Sequence, residues 1–461
     1  MNGKQMPFSG KDLQKMIVPL FLEQLLVMLV GIADTLVVSY AGEAAVSGVS
    51  LVNQFNTIFI YLFTALASGG AVVISQYIGR KDYESAGKSA SQLLMFGTVF
   101  SVLIAVPVLA GNKVMLRLLF GKVEDSVMNA CVTYLKISVY SYPALAVYNS
   151  GAALYRSLGK TDVTMYISVL SNIINVLGNV IGVFVLHAGV AGVAWPSLIA
   201  RTFSAVVVTL LCFRLSLRMP NGITISFGKK NKVAYKAGWI FRWDTDCLKR
   251  IWKVAVPNGV ENGIFQLVKV ALSSIVALFG TYQIAANGVA QSIWSLAALA
   301  VVAMGPVFIT VIGQCMGNRD TQAAEYYFVK LSKITLILSS VWNFLIFIFT
   351  PVFLQFYALE AQTKQLVIQL VLIHNIFNAV AFPFSGALGN GLRAAGDIKF
   401  TMYVSVLSTI AVRLLLSYVL GIVLNMGVMG IAAAMVCDWV IRAVIFIRRQ
   451  KSGKWKEFKV V

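Results

Sequence analysis

Charged residues are scarce in this sequence. They make up 12% of its 461 residues, about half of the share in a typical soluble domain, whereas 58% are hydrophobic. Histidine occurs only twice, and the five cysteines are scattered without a C-x-x-C pair. These shortages argue against a soluble enzyme, a metal centre and a disulfide framework. Together with a mean hydropathy of +0.80, they indicate a polytopic membrane protein.

Acidic residues are outnumbered by basic ones, 18 against 38, which gives a net charge of +20. In a soluble protein this excess would suggest binding to nucleic acid. In a membrane protein it fits basic cytoplasmic loops and anionic lipid headgroups. We therefore expect contact with a bilayer that contains anionic lipids, and no nucleic-acid partner.

Apolar runs between polar breaks predict an all-α protein with twelve transmembrane helices. One long hydrophilic stretch separates the sixth span from the seventh. The predicted domains are an N-lobe (1–213), a cytoplasmic linker (214–253) and a C-lobe (254–461). The predicted spans are residues 16–39, 51–77, 90–111, 129–150, 163–186, 190–213, 254–279, 284–314, 330–353, 365–388, 401–423 and 428–447.

The basic residues predict the orientation of the chain. Thirty of the 38 fall in the termini, the linker and the loops on the same side, and five fall in the loops on the other side. Because positively charged loops stay in the cytoplasm, we expect both termini to be cytoplasmic. We expect the protein in the plasma membrane, as a bacterial inner-membrane protein.

The sequence contains an internal duplication. Residues 164–173 (TMYISVLSNI) and 401–410 (TMYVSVLSTI) are identical at eight of ten positions, at an offset of 237. Glu23 and Glu261 occupy equivalent places in the two copies. Six spans in each copy predict parallel repeats, an arrangement in which transporters bind substrate between the halves near the bilayer midplane. A duplicated scaffold without transport is the alternative.

The end of the linker, residues 227–253 (FGKKNKVAYKAGWIFRWDTDCLKRIWK), interleaves basic residues with Trp239, Trp243 and Trp252. This pattern predicts an amphipathic segment that lies on the cytoplasmic leaflet. Asp244 is positioned to cap a short helix. An ordinary connection between the two lobes is the alternative.

Short motifs recur in order in the two copies and resemble those of one transporter family. The first span contains P-L-F-L-E-Q and G-I-A-D-T-L-V-V-S-Y-A-G. The loops after the second and eighth spans read S-Q-Y-I-G-R-K-D and G-Q-C-M-G-N-R-D, and those after the fourth and tenth read L-Y-R-S-L-G-K-T-D and G-L-R-A-A-G-D. The chain resembles the multidrug and toxic compound extrusion (MATE) family of cation-coupled antiporters over nearly its whole length. The resemblance implies export of organic, often cationic compounds, driven by inward flow of sodium ions or protons.

The resemblance also implies a cation site in the N-lobe. Family members use an acid on the first span, an Asn and an Asp four residues apart on the fifth, and a hydroxyl on the sixth. The matching positions here are Asp34, Asn175, Asn179 and Ser197. Asn179 stands where family members often have Asp, which weakens sodium binding and removes one candidate proton carrier. An interfacial acid that faces water is the alternative for Asp34.

Three further ionisable residues are predicted to face the cavity and the substrate: Glu23, Glu261 and Lys269. Charges inside a span are costly and by default functional. If Glu23 and Glu261 share one cavity, they repel each other, and a cation or a proton relieves the repulsion. The alternatives are acids favoured by a helix dipole and a lysine that is paired or extends to the interface.

The C-lobe contains two further polar groups within its spans. Arg413 and Asp438 are predicted to form a structural ion pair. His374, Asn375 and Asn378 form a polar stripe on the tenth span. Histidine is the residue type whose charge can change near neutral pH, but a hydrogen-bonded structural histidine is the favoured interpretation of His374.

Several functions remain open at this point. The leading hypothesis is a monomeric exporter of drugs or metabolites that needs no cofactor and no resident metal, with sodium at Asp34 as a coupling ion. A lipid-linked saccharide flippase of the same superfamily would need several basic cavity residues, whereas three acids and one lysine favour cationic cargo. A membrane-embedded enzyme is a remote alternative, because the sequence has no H-E-x-x-H, no G-x-S-x-G and no paired intramembrane aspartates. A channel would need a continuous pore.

Overall fold

The structure is a computed structural model. It describes residues 6–121, 123–213, 216–218, 224–226, 233–357 and 359–461.

The first repeat consists of helices joined by short turns. Without water to satisfy the backbone, apolar segments in a bilayer form helices, because all their hydrogen bonds then lie within the segment. These helices are α1 (Gly10–Ser39), α2 (Glu43–Gly79), α3 (Tyr83–Ala110), α4 (Asn112–Phe120), α5 (Asp125–Tyr140), α6 (Tyr142–Ser157), α7 (Thr161–Val180), which continues into a π-helical turn (Ile181–Val185), and α8 (Ala191–Cys212).

The linker contains the two strands of the described chain. They are β1 (Ser216–Arg218) and β2 (Thr224–Ser226), which pair antiparallel. A short helix, α9 (Ala237–Ile240), follows. The part of the predicted amphipathic segment at residues 227–232 lies outside the described residues.

The second repeat begins with a capped helix. The Oδ1 atom of Asp244 accepts hydrogen bonds from the backbone N–H groups of Asp246 and Cys247, both at 3.0 Å, as predicted for a helix cap. The capped helix is long, because it continues into the predicted seventh span. The helices are α10 (Thr245–Val276), α11 (Thr281–Ala297), α12 (Leu299–Gly317), α13 (Thr321–Gln355), α14 (Ala361–Val380), α15 (Leu388–Ala394), α16 (Ile398–Leu407), α17 (Leu415–Tyr418) and α18 (Gly427–Ser452), with π-helical turns at Pro383–Ala387, Ser408–Leu414 and Val419–Val423 and a 3-10 turn at Lys454–Glu457.

Each of the twelve predicted spans coincides with a helix or a pair of helices. Within the described residues, nine helical stretches are long and apolar enough to cross a membrane, with α11 and α12 counted as one stretch and α16 and α17 as another. The number is ten if the pair α14 and α15, bent by 52°, forms one span. The fourth predicted span is divided at Ser141 into α5 and α6. The seventh, α10, carries Glu261 and Lys269 and is less apolar. The protein is therefore an all-α, multi-pass membrane protein.

The turns after α2 and α12, which follow the second predicted span of each repeat, have the same structure. Asp82 and Asp320 each accept a hydrogen bond of 3.0 Å from a backbone N–H three residues later, at the starts of α3 and α13. The residues before them, Lys81 and Arg319, have positive φ angles of 62° and 56°. The duplication seen in the sequence thus extends to an unusual backbone conformation.

The chain forms two compact units whose boundaries differ from those of the predicted domains. One unit is Val18–Val256 and the other is Met1–Ile17 with Pro257–Val461. The start of α1, up to Ile17, belongs with the second repeat. Just before this helix, the backbone N–H of Phe8 donates to the Tyr327 hydroxyl, and the C=O of Phe8 accepts a hydrogen bond from it. The end of the linker belongs with the first repeat because it packs on α3.

Candidate functional site

A cluster of four polar side chains lies within the unit Val18–Val256. Asn179 Nδ2 donates a hydrogen bond to Asp34 Oδ1 at 2.7 Å and another to Asn175 Oδ1 at 3.2 Å. Asn175 Nδ2 lies 2.9 Å from Ser197 Oγ. The structure therefore brings together all four residues that were predicted to form the cation site.

Helix packing brings these residues together. Asn175 and Asn179 are one turn apart on α7 and share a face. A Cβ atom on Gly182 would overlap the backbone of Gly192, so the end of α7 and the start of α8 approach at backbone distance. This close approach places Ser197 beside Asn175.

Exchanging the oxygen and nitrogen of the Asn175 amide gives up the bond from Asn179 to Asn175 but gives both amide atoms partners in Asp34 and Ser197. In that orientation its nitrogen donates to Asp34 Oδ1 at 2.8 Å, and its oxygen accepts from Ser197 Oγ at 2.9 Å. Asp34 then accepts hydrogen bonds from two amides. Both asparagines are buried, so these bonds form away from competing water.

A cavity of about 120 Å³ lies beside Asp34. Its polar lining is Asp34, Thr35, Ser50, Asn53 and Tyr134, and the Tyr134 hydroxyl donates to Asn53 Oδ1 at 3.2 Å. At about 30 Å³ for each molecule, this volume holds about four waters. The cavity suits a small hydrated ion and is too small for an organic compound.

Arg201 is a charged neighbour of the site that sequence reasoning did not include. Its guanidinium donates to Ser141 Oγ at 2.7 Å, and its positive charge acts electrostatically on Asp34 and Tyr134. The spacing could have revealed it, because Arg201 follows Ser197 by one helical turn and so lies on the same face of α8.

Glu23 lies in a buried ion pair. Its Oε1 atom is 2.7 Å from Arg156 Nη2, and its Oε2 atom accepts a hydrogen bond from Thr164 Oγ1 at 3.1 Å. The Tyr148 hydroxyl lies 3.4 Å from Oε1. Only 3% of Glu23 is exposed. The sequence analysis placed Glu23 in the substrate cavity and did not identify Arg156 as its ion-pair partner.

The second repeat contains the equivalent pair. Arg393 Nη1 lies 3.4 Å from Glu261 Oε2 and also bonds to the side chain of Asn258. Each glutamate therefore has an arginine of its own repeat as a partner. Arg156 and Arg393 lie in the motifs L-Y-R-S-L-G-K-T-D and G-L-R-A-A-G-D of the two copies, and this repetition was the sequence signal for both pairs.

Asp438 lies between two arginines in the unit that contains Pro257–Val461. Its carboxylate is 3.2 Å from Arg413 Nε and 2.8 Å from Arg442 Nη2, and Ser408 also donates to it. The ion pair between Arg413 and Asp438 thus forms within the second repeat. Lys269 has an exposed side chain, and no ion pair found among the described residues includes it.

The polar stripe on α14 is buried. Asn378 Nδ2 donates to Asn343 Oδ1 at 3.0 Å, and Asn375 Nδ2 donates to the carbonyl of Asn343 at 3.3 Å. His374 is 1% exposed and packs near Trp439, with ring centroids 6.4 Å apart. The stripe therefore connects α14 to α13 and α18.

Comparison with known proteins shows the same duplication. The sequence model of the MatE family matches residues 19–181 and 257–419. Among curated proteins, the chain is 26% identical to the uncharacterized transporter YisQ of Bacillus subtilis, over 95% of this chain and 93% of that one. It is 22% identical to the probable multidrug resistance protein NorM of Thermotoga maritima, over 99% and 96% of the two chains.

The fold matches solved structures of the same kind. One is described as the outward-facing conformation of a multidrug resistance MATE family transporter of the MOP superfamily. It superposes with a TM-score of 0.87 at 18% identity and covers 96% of this chain and 95% of that one. Since the family match covers both repeats and more than half of the residues, the chain belongs to the MatE family of membrane transporters.

Proposed function

We propose that this protein is a secondary active exporter that exchanges an organic, cationic compound for inward-flowing sodium ions or protons. The two repeats would expose the cargo alternately to the two sides of a bacterial inner membrane, with both termini in the cytoplasm. The protein would act as a monomer without a cofactor, in a bilayer that contains anionic lipids.

The cluster around Asp34 is the observation that carries this proposal. It combines one carboxylate, two amides and a hydroxyl from three helices, next to a cavity that suits a small ion. Hard cations prefer oxygen ligands of these types. An acidic side chain within a membrane span costs free energy, so its presence there indicates a function by default.

The asparagines would have a different role in each state of the site. In the structure, the Asn179 N–H group donates to Asp34 and stabilises its charge. When a cation binds Asp34, the amides of Asn175 and Asn179 would turn their oxygens toward it. The cluster can therefore exchange hydrogen bonds for cation contacts without moving a helix.

The names of similar proteins support an organic cargo. Relatives over most of this chain are named multidrug resistance proteins, and one from Oryctolagus cuniculus, 22% identical, is named multidrug and toxin extrusion protein 1. Glu261, with 16% of its side chain exposed, is a candidate for contact with a cationic cargo. Lys269 is a second candidate for the cargo path.

The test is transport by purified protein in proteoliposomes, with sodium and pH gradients imposed separately. Asp34→Asn is expected to abolish gradient-driven transport of a fluorescent organic cation while leaving the protein folded. Asp12→Asn is the matched control, because it removes the same charge from an exposed position on the same helix. If Asp34→Asn still concentrates cargo at the wild-type rate, Asp34 is not the coupling residue.

A further inference from the structure

The end of the linker is bound firmly to α3. The side chain of Gln92, which is fully buried, donates to the carbonyl oxygens of Trp239 and Arg242 and accepts from the N–H of Asp244 at 3.0 Å. The ring of Trp243 packs against Phe96 with centroids 6.4 Å apart. The segment 239–244 is thus a fixed part of this unit.

An apolar groove of about 520 Å³ lies between this segment and the helices. Nine residues line it, and seven of them are hydrophobic. The lining comes from α3, α6, α8, the last residue of α9 and the residues that follow it: Leu94, Met95, Thr98, Val99, Val147, Thr209, Ile240, Phe241 and Trp243.

The groove lies beside the middle of α3. Leu94 and Val99 lie 11 and 16 residues after Tyr83, the first residue of α3, which corresponds to about 16 and 24 Å along the helix. The rim carries Phe241, 87% exposed, and Trp243, 58% exposed. Exposed aromatic rings at such a rim are typical of the membrane interface.

The charges at the rim are positive. Arg242 lies between two lining residues in the chain, and its side chain is exposed. Lys236 lies nearby, with its ammonium 4.3 Å from the centre of the Trp239 ring. The sequence has no acidic residue between Asp162 and Asp244. A negatively charged headgroup would therefore meet basic side chains here.

Asp244, the acidic residue next to the rim, does not cancel the positive charge of Arg242. Asp244 forms an ion pair with Lys88. The N–H of Cys247 and the ammonium of Lys88 lower the pKa of Asp244 below its ordinary value, so its carboxylate stays ionised and paired at neutral pH. The side chain of Arg242 takes part in no ion pair found among the described residues.

We propose that this groove binds one acyl chain of an anionic phospholipid, whose phosphate contacts Arg242. The apolar groove would hold the acyl chain, and the basic residues at its rim would favour a negatively charged headgroup. A bound lipid would fasten the linker to the first repeat. The proposal does not depend on the exchange of cargo and cations, and binding can be measured without transport.

The test is native mass spectrometry of the delipidated full-length protein. Three probes separate the contributions: dioleoyl phosphatidylglycerol, dioleoyl phosphatidylcholine with the same chains, and soluble glycerol phosphate. We expect one tightly bound phosphatidylglycerol, preferred about fivefold over phosphatidylcholine, since one basic residue at an anionic surface contributes about 1 kcal/mol. Glycerol phosphate alone should not bind.

Two variants separate the headgroup site from the chain site. Arg242→Gln should remove the preference for phosphatidylglycerol. Val99→Trp should weaken binding of both lipids by filling the groove from a position that is 41% exposed. Val341→Trp on α13, at a position that is 56% exposed, is the matched control and should change nothing.

Equal binding of the two phospholipids by the wild-type protein would overturn the proposal, as would an unchanged preference in Arg242→Gln. Displacement of the lipid by tetraphenylphosphonium, one for one, would instead identify the groove as an entrance for lipophilic cations and would also overturn it.

Discussion

Arg156 holds the carboxylate of Glu23 at 2.7 Å in the interior of one compact unit. The equivalent residues of the other repeat, Arg393 and Glu261, lie 3.4 Å apart. The glutamates differ in exposure, since 4% of the Glu23 side chain and 16% of the Glu261 side chain are exposed. The more deeply buried Glu23 is suited to a structural role, and the more exposed Glu261 is the better candidate for contact with cargo.

Glu23→Gln is expected to destabilise the protein, because it removes the carboxylate charge that Arg156 contacts at 2.7 Å in the interior of the unit. Removing one member of a buried pair costs about 3–5 kcal/mol. The measurement is thermal unfolding in detergent, with Glu261→Gln as the control, and the control should cost less. Glu23→Gln combined with Arg156→Met should recover part of the loss. A melting temperature that Glu23→Gln leaves unchanged would show that the pair contributes little.

Glu261→Gln is expected to weaken export of cationic cargo more than export of neutral cargo. The substitution removes the negative member of the pair, so a cation meets the net positive charge of Arg393 where it met a neutral ion pair. Transport of a matched cationic and neutral pair of compounds in proteoliposomes measures this effect. Glu360→Gln, an exposed acid just before α14, is the control. Equal losses for both cargoes would point to a structural role for Glu261.

Asn179→Asp is expected to increase sodium affinity by about tenfold or more, which corresponds to at least about 1.4 kcal/mol. The Asn179 side chain already lies 2.7 Å from Asp34, so the substitution places two carboxylates around one small site. Binding of radioactive sodium to the purified protein measures the change. Asn172→Asp, on the same helix, is the control for added charge. Sodium affinity that does not rise would show that the cation does not bind between these residues.

Arg201→Gln is also expected to raise sodium affinity, because it removes a positive charge that acts on Asp34. Coulomb's law gives an interaction on the order of 1–2 kcal/mol for unit charges about 10 Å apart at an effective dielectric constant of about 20. Ser141→Ala is the matched control, because it removes the hydrogen bond to Arg201 and keeps the charge. If both variants change affinity equally, the effect comes from positioning and not from charge.

The sequence by itself determined the helices and the duplication, and its resemblance to a known family supplied the members of the Asp34 cluster. Apolar length predicts a membrane helix because the bilayer leaves the backbone no other partner. The spacing of Asn175 and Asn179 predicts that both lie on one face of a single helix, but it does not predict that this face meets Asp34 or Ser197. The cap at Asp244 was predictable, since capping involves neighbours in the chain.

Only the tertiary structure decided which distant groups became partners. Glu23 and Arg156 are 133 residues apart, and Gln92 binds backbone atoms about 150 residues away. Periodicity predicts which face of a helix is polar, but the rotation and packing of each helix select the residue that this face meets. The assignment of the start of α1 and of the linker to their units depends on such long-range contacts, which no local pattern encodes.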